Sequence, residues 1–144
     1  MTQLVTMTLE GSCLGIDVAS AQDVVRLGAL TPVPLAADWI AGMMNLRGHI
    51  VTAIDMRARL GLPPAEKGQK RMCVVVTVAG EAYALIVDGV GEVMTVSEDE
   101  REPDPATLSP CWRAVSRGVV KRDDQLIVEI DAATIVGGEF RAAA

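Results

Sequence analysis

Aromatic side chains are scarce in this 144-residue chain: Trp39, Tyr83, Trp112 and Phe140 make up 3% of it. A core must therefore be assembled from Val, Ile, Leu, Ala and Met, and the stacking platforms on which single-stranded nucleic acid is laid are missing. Basic residues are also few and scattered, 13 Lys and Arg against 19 Asp and Glu, for a formal net charge of -6 and a pI near 4.7. Phosphate binding needs clustered Lys and Arg and gains from counterion release, so a nucleic-acid partner is excluded. Histidine is represented by His49 alone. A Ser-His-Asp triad, an imidazole pair or a histidine metal site would all rest on that one residue, and it reads instead as an exposed rim histidine beside the Gly48 turn.

Other absences narrow the field further. Cys13, Cys73 and Cys111 are odd in number, widely spaced and without a C-x-x-C pair, which argues against a disulfide framework or a zinc site. They read as small buried hydrophobes of a reduced compartment. No segment approaches the ~18 uncharged apolar residues that would span a bilayer, and the first residues lack the basic and apolar blocks of a signal peptide. A soluble, cytoplasmic protein with no direct membrane insertion is expected. Gly89-Val90-Gly91 lacks the third glycine and following helix of a dinucleotide fingerprint, and no phosphate-loop motif occurs. The dense carboxylates between Glu98 and Asp104 read as a solvated connector, with nothing to desolvate them for acid-base work. No catalytic residue, metal ligand or cofactor site is assigned, and the expectation is a protein that is not an enzyme.

What the chain does have is length enough for one domain that buries roughly 70% of its unfolded surface, and many short apolar runs punctuated by turns. Residues 3–9 and 13–18 read as a hairpin across Glu10-Gly11-Ser12, with a further strand from Gln22 onward. Two prolines make residues 30–34 a surface crossing. A strand over Ile50 to Ile54 leads to Asp55, an N-cap for a helix of at most two turns over Met56 to Leu60, stopped by Gly61 and Pro63. Met72 to Val78 is a strand buried on both faces, Tyr83 to Asp88 returns, and Gly89 to Val96 continues with two glycines that mark a bulge or bend. Ala114 to Val120 and Gln125 to Ile130 flank a turn over Lys121 to Asp124. Asp131 caps a closing helix that runs to Ile135 or Val136 before two glycines. Nine or ten short strands with almost no helix point to an all-β sandwich or small barrels.

One stretch organises the rest. Asn45-Leu46-Arg47-Gly48 sets a permanently charged Arg at a turn, an apolar strand follows, and the strand ends in Asp55-Met56-Arg57 and Leu60-Gly61. A guanidinium cannot act as a general base, so Arg47 reads as a positioning residue, with Asp23 and Asp55 as candidate partners and Asp23 preferred.

From Gly42 to Gly61 this pattern resembles the CheW coupling proteins of bacterial chemotaxis. Further likeness lies in Gly15-Ile16-Asp17-Val18, Gln22-Asp23-Val24-Val25, Val87-Asp88-Gly89-Val90 with Glu92-Val93, and Gly118 with Leu126-Ile127, so it covers nearly the whole chain. The resemblance implies a single CheW-like domain over residues 1–144, made of two small SH3-like five-stranded β-barrels that share a core, with short helices including one near the C-terminus. It implies a non-enzymatic adaptor, monomeric when isolated, that needs no cofactor. Its partners would be the regulatory domain of the chemotaxis histidine kinase and the cytoplasmic tip of methyl-accepting receptors, which would recruit it to membrane receptor arrays. Ile16, Val18, Ala21 and Asp23 would lie at the kinase-binding surface on the first barrel. Asn45, Arg47 and Val87 would lie along the receptor-binding groove, and Gly42, Gly48 and Asp55 would be structural. The alternatives are a related scaffold of surface motility or another kinase array, and a small-molecule-binding barrel. Four features depart from the family pattern: Thr52 and Ala37 stand where prolines are usual, Asp23 where a longer Glu is usual, and Trp112 to Gly118 is about two residues longer.

Overall fold

Eleven strands carry the fold in a computed structural model that describes residues 2–122 and 125–136. In chain order they are β1 (Thr2–Leu9), β2 (Ser12–Asp17), β3 (Ala21–Arg26), β4 (Ile40–Leu46), β5 (His49–Asp55), β6 (Met72–Val78), β7 (Glu81–Val87), β8 (Gly89–Val96), β9 (Arg101–Glu102), β10 (Ser116–Arg122) and β11 (Gln125–Ile130). Two short helices, α1 (Met56–Arg59) and α2 (Pro110–Val115), and a 3-10 turn over Glu98–Glu100 complete the named elements, and residues 132–136 are helical. The strands form two sheets, one in the order β8-β1-β2-β11-β10-β9 and one in the order β3-β6-β7-β5-β4. These are the two SH3-like barrels; two-residue β9 is an addition to the five long strands of the first. The second barrel is inserted whole between β2 and β8.

Burial on both faces of β1 explains why the barrels share a core. Val5, Met7 and Leu9 face a cluster that also takes Leu14, Ile16 and Val128 from the first sheet and Ile54, Val74, Leu85 and Val87 from the second. Leu4 points the other way, into the first barrel, with Val96, Val120 and Ile127. Met44, Val51, Ala53, Cys73, Ala84 and Ile86 fill the second barrel. The bulge expected near the paired glycines is present: Val5 pairs with Val93 and Met7 with Val90, so two residues of β8 oppose Thr6. A Cβ on Gly91 would stand 2.6 Å from the Thr6 hydroxyl oxygen, which is why a side chain is missing there.

Several expectations are corrected. β4 was not expected as a strand; it forms because β5 pairs along its whole length and Thr31 bridges Met43 on its other side. Residues 110–115 form α2 with Pro110 in its first turn, so the strand expected from Ala114 begins at Ser116. The acidic connector is ordered: Ser97 and Glu100 form a reciprocal capping box, and Arg101 and Glu102 pair with β10. Cys73 is buried, with its thiol pushed up to about 11 by desolvation against the opposing charge of Arg71. Cys13 is half-buried and Cys111 exposed, so burial does not hold for all three. Asp131 caps the last helical segment as expected, accepting from the Ala133 amide at 3.2 Å and the Thr134 hydroxyl at 3.0 Å. The tip of the last hairpin at Asp123 and Asp124, and the two glycines after Val136, lie outside the described residues.

Candidate functional site

The organising stretch folds into the β4–β5 hairpin. Arg47 and Gly48 both have positive φ, 51° and 85°, the geometry of a two-residue type I′ loop that suits the twist of paired strands. Glycine meets that demand at no cost, whereas Arg47 occupies the left-handed region at some expense. The Asn45 side-chain oxygen accepts from the Gly48 amide at 3.0 Å and fixes the turn. Gly42, three residues before Asn45, has φ 147°, and a Cβ there would meet the Thr31 carbonyl oxygen at 2.6 Å. That close approach is what lets residue 31 bridge the edge of β4.

The turn puts Arg47 across the open seam of the second barrel, whose edge strands are β3 and β4. Its guanidinium lies 2.6 Å from Asp23 Oδ2, while Asp23 Oδ1 accepts from the Val24 amide at 2.8 Å. The preferred partner is therefore the one found. Asp23 is short, yet the I′ turn carries Arg47 close enough to reach it. Asp55 is engaged elsewhere: its Oδ1 accepts from the Arg57 amide at 3.0 Å, capping α1, and from Arg71 at 2.7 Å. Gln22, Asp23, Leu46, Arg47, His49 and Val51 line a hollow of about 250 Å³ under the bridge. His49 is exposed at its rim. The first barrel has a counterpart, because Arg122 of β10 donates to the Thr95 carbonyl of edge strand β8 at 2.9 Å and to Glu100 at 2.5 Å.

The other predicted site residues are divided between surface and core. Val18, just after β2, and Asn45 are exposed, and Ala21 is half-buried at the start of β3. Ala21 and Asp23 belong to the second sheet, so the surface expected on the first barrel straddles the crossing from β2 to β3. Two of the expected site residues are core residues: Ile16 is 1% exposed and Val87 0%, both packed in the shared cluster. Residues two apart share a face within a strand, so Ile16 and Val18 differ because β2 ends at Asp17 and Val18 lies beyond it.

Sequence reasoning passed over the most heavily bonded side chain of the site, Arg57. Only 8% exposed, it donates Nε to Asp88 Oδ1 at 2.9 Å, Nη2 to Asp88 Oδ2 at 2.6 Å, and Nη1 to Glu10 and to the Pro63 carbonyl, the last at 2.9 Å. The Glu10 backbone amide also donates to Asp88 at 2.9 Å. Burial opposes the charge on Asp88, but the Arg57 hydrogen bonds, the Glu10 amide and the nearby Arg57 and Arg71 charges outweigh it and hold the carboxyl below its ordinary value. The Asp88 hydrogen bonds raise Arg57 in turn. Among the described residues no group of three His, Cys, Asp or Glu side chains is placed to hold a metal ion, and no helix is long and apolar enough to cross a membrane. The arrangement is one of braces and rims, suited to holding surfaces in place.

A family model described as a CheW-like domain matches residues 3–139. The chemotaxis protein CheW of Rhizobium meliloti is 29% identical over 129 residues, covering 90% of this chain and 83% of its own. That of Thermotoga maritima is 28% identical over 134 residues, covering 93% and 87%. The crystal structure of scaffolding protein TtCheW from Thermoanaerobacter tengcongensis is similar at a TM-score of 0.84 and 29% identity, over 94% of this chain and 92% of that one. With the family model running from β1 past β11 over the same two-barrel layout, the chain belongs to the CheW-like domain family.

Proposed function

We propose that this protein is a non-enzymatic adaptor that couples methyl-accepting chemotaxis receptors to the chemotaxis histidine kinase, working in the cytoplasm and recruited to receptor arrays at the membrane. The observation that carries the reading is the family match across residues 3–139 on a two-barrel fold. The kinase regulatory domain docks at the β2–β3 crossing, against Val18, Ala21 and Asp23. The receptor tip lies along the hairpin corner at Asn45 and Arg47. Ile16 and Val87 support these surfaces from behind as core residues. Exposed apolar side chains beside the corner, Ile50 and Met43, give a helical tip something to pack on.

The test uses purified protein with a kinase regulatory domain and a receptor cytoplasmic fragment in separate pull-downs. Val18→Glu should lose the kinase and keep the receptor, and Arg47→Glu the reverse. Recovery of neither partner by the unaltered protein would overturn the reading. Recovery of a kinase from a surface-motility array would move it to a scaffold outside flagellar chemotaxis.

A further inference from the structure

We propose that α1 sets the angle between the two barrels, with Arg57 as a clasp that holds both at once. The shared core brings the sheets together, but apolar packing is non-directional and does not by itself define an angle between two faces. Direction has to come from hydrogen bonds. Arg57 follows β5 of the second barrel, and its fork reaches Glu10 in the β1–β2 turn of the first barrel and Asp88, the single residue between β7 of one barrel and β8 of the other. The donors of a guanidinium are coplanar and fixed relative to one another, so satisfying Asp88 through two of them and Glu10 through a third fixes orientation as well as distance.

The other arginine of α1 works the same way. Arg59 donates to the Ile135 carbonyl at 3.2 Å and the Thr134 carbonyl at 3.4 Å, in the helical segment that follows β11 of the first barrel. It also lies over the Trp39 ring, 5.4 Å from its centroid, just before β4 of the second. A four-residue helix thus carries two arginines that each bond across the barrel boundary. Glu10 itself sits at φ 49°, and its amide is bound to Asp88, so the turn is docked through backbone and side chain together. Resting on the adaptor reading, the clasp makes Arg57 a positioning residue: the two docking surfaces lie near the crossing and on the second barrel's corner, and their relation to the first barrel is fixed through α1.

The experiment measures the spread of inter-barrel distances in the isolated protein by pulsed electron spin resonance. Nitroxides are placed at Arg26→Cys in β3 and Lys121→Cys in β10, in a Cys13→Ala, Cys111→Ser background. A roughly twofold broader distribution is expected for Arg57→Gln, and a broadening for Arg57→Lys, which keeps charge but loses the planar fork. Glu10→Gln, at a 44% exposed side chain, keeps the fold if Arg57→Gln does not and should broaden the distribution to a smaller extent. Widths equal to the parent in Arg57→Lys and Glu10→Gln overturn the clasp. If the unaltered protein binds neither partner, the adaptor reading fails and the distance widths still decide the clasp.

Discussion

At the residue scale, Ile16 and Val18 are two positions apart and have opposite surroundings, one inside the shared core and one at the surface. Ile16→Ala should cost about 2–5 kcal/mol in urea melts, by transfer and cavity terms together, while Val18→Ala should stay within about 0.5 kcal/mol. A binding defect in Ile16→Ala should then disappear when the assay is run well below its unfolding midpoint; persistence would put Ile16 in contact with the partner. The Arg47–Asp23 bridge is weak by the same kind of reasoning. The Arg47 side chain is 73% exposed, and exposed pairs contribute about 0–1 kcal/mol. A double-mutant cycle of Arg47→Ala and Asp23→Ala should show a coupling of about 0.2–1 kcal/mol, and strictly additive losses would remove the brace from the account. A partner-binding defect in Arg47→Ala larger than its stability loss would then be a surface effect.

At the element scale, both barrel seams are spanned by an arginine, and the brace of the first barrel should respond to acid. In the first barrel, hydrogen bonds from Arg122 are the main cause holding Glu100 below its ordinary value of 4.5, with the Ser97 amide and hydroxyl assisting. A carboxyl depressed in the folded state contributes stability that is fully present above its unfolded pKa and is lost as pH falls through the folded one. The urea midpoints of the unaltered protein and Glu100→Gln should therefore differ near neutral pH and converge on acidification below about 4.5. A difference that stays constant across that window would detach Glu100 from the brace. Elements also show what a sequence can disclose. The apolar runs of β6 and β7 and the cap at Asp55 are local signals and were readable. β4 was not, because Gly42, Met43, Met44 and Asn45 carry weak strand preference and are held extended by β5 and Thr31. Arg57 stands in the quoted pattern, but its bonding was not readable there: Asp88 lies 31 positions away and Glu10 47, and only the fold brings them together.

At the scale of the whole molecule, a core built from both sheets should make the barrels unfold together. Trp39 precedes β4 in one barrel and Trp112 belongs to α2 beside the other, and both are packed in the shared cluster. In Trp39→Phe and Trp112→Phe, the remaining tryptophan should report a single urea transition coincident with far-ultraviolet circular dichroism. Two separated transitions would mean that each barrel stands alone. The two-barrel plan was legible in strand number and spacing, and the resemblance supplied its division. The nesting was not legible, because nothing local marks β2 and β8 as members of one sheet.

That nesting has a consequence for how the chain is made. Both ends of the inserted barrel are tied to β1, with the Val18 amide donating to the Gln3 carbonyl at 2.9 Å and the Asp88 amide to the Thr8 carbonyl at 3.0 Å. On the ribosome β1 and β2 emerge first, then all of β3 to β7, and only afterwards β8, β10 and β11. The inner barrel has its full complement of strands while the outer one holds a lone hairpin, and the parallel pairing of β2 with β11 joins opposite ends of the chain. Such non-local pairing has the largest loop-closure cost and comes late. Amides of β6 and β7 should gain protection from hydrogen exchange before those of β2 and β11 during refolding, and the reverse order would refute this sequence of events. The first barrel to begin is the last to close.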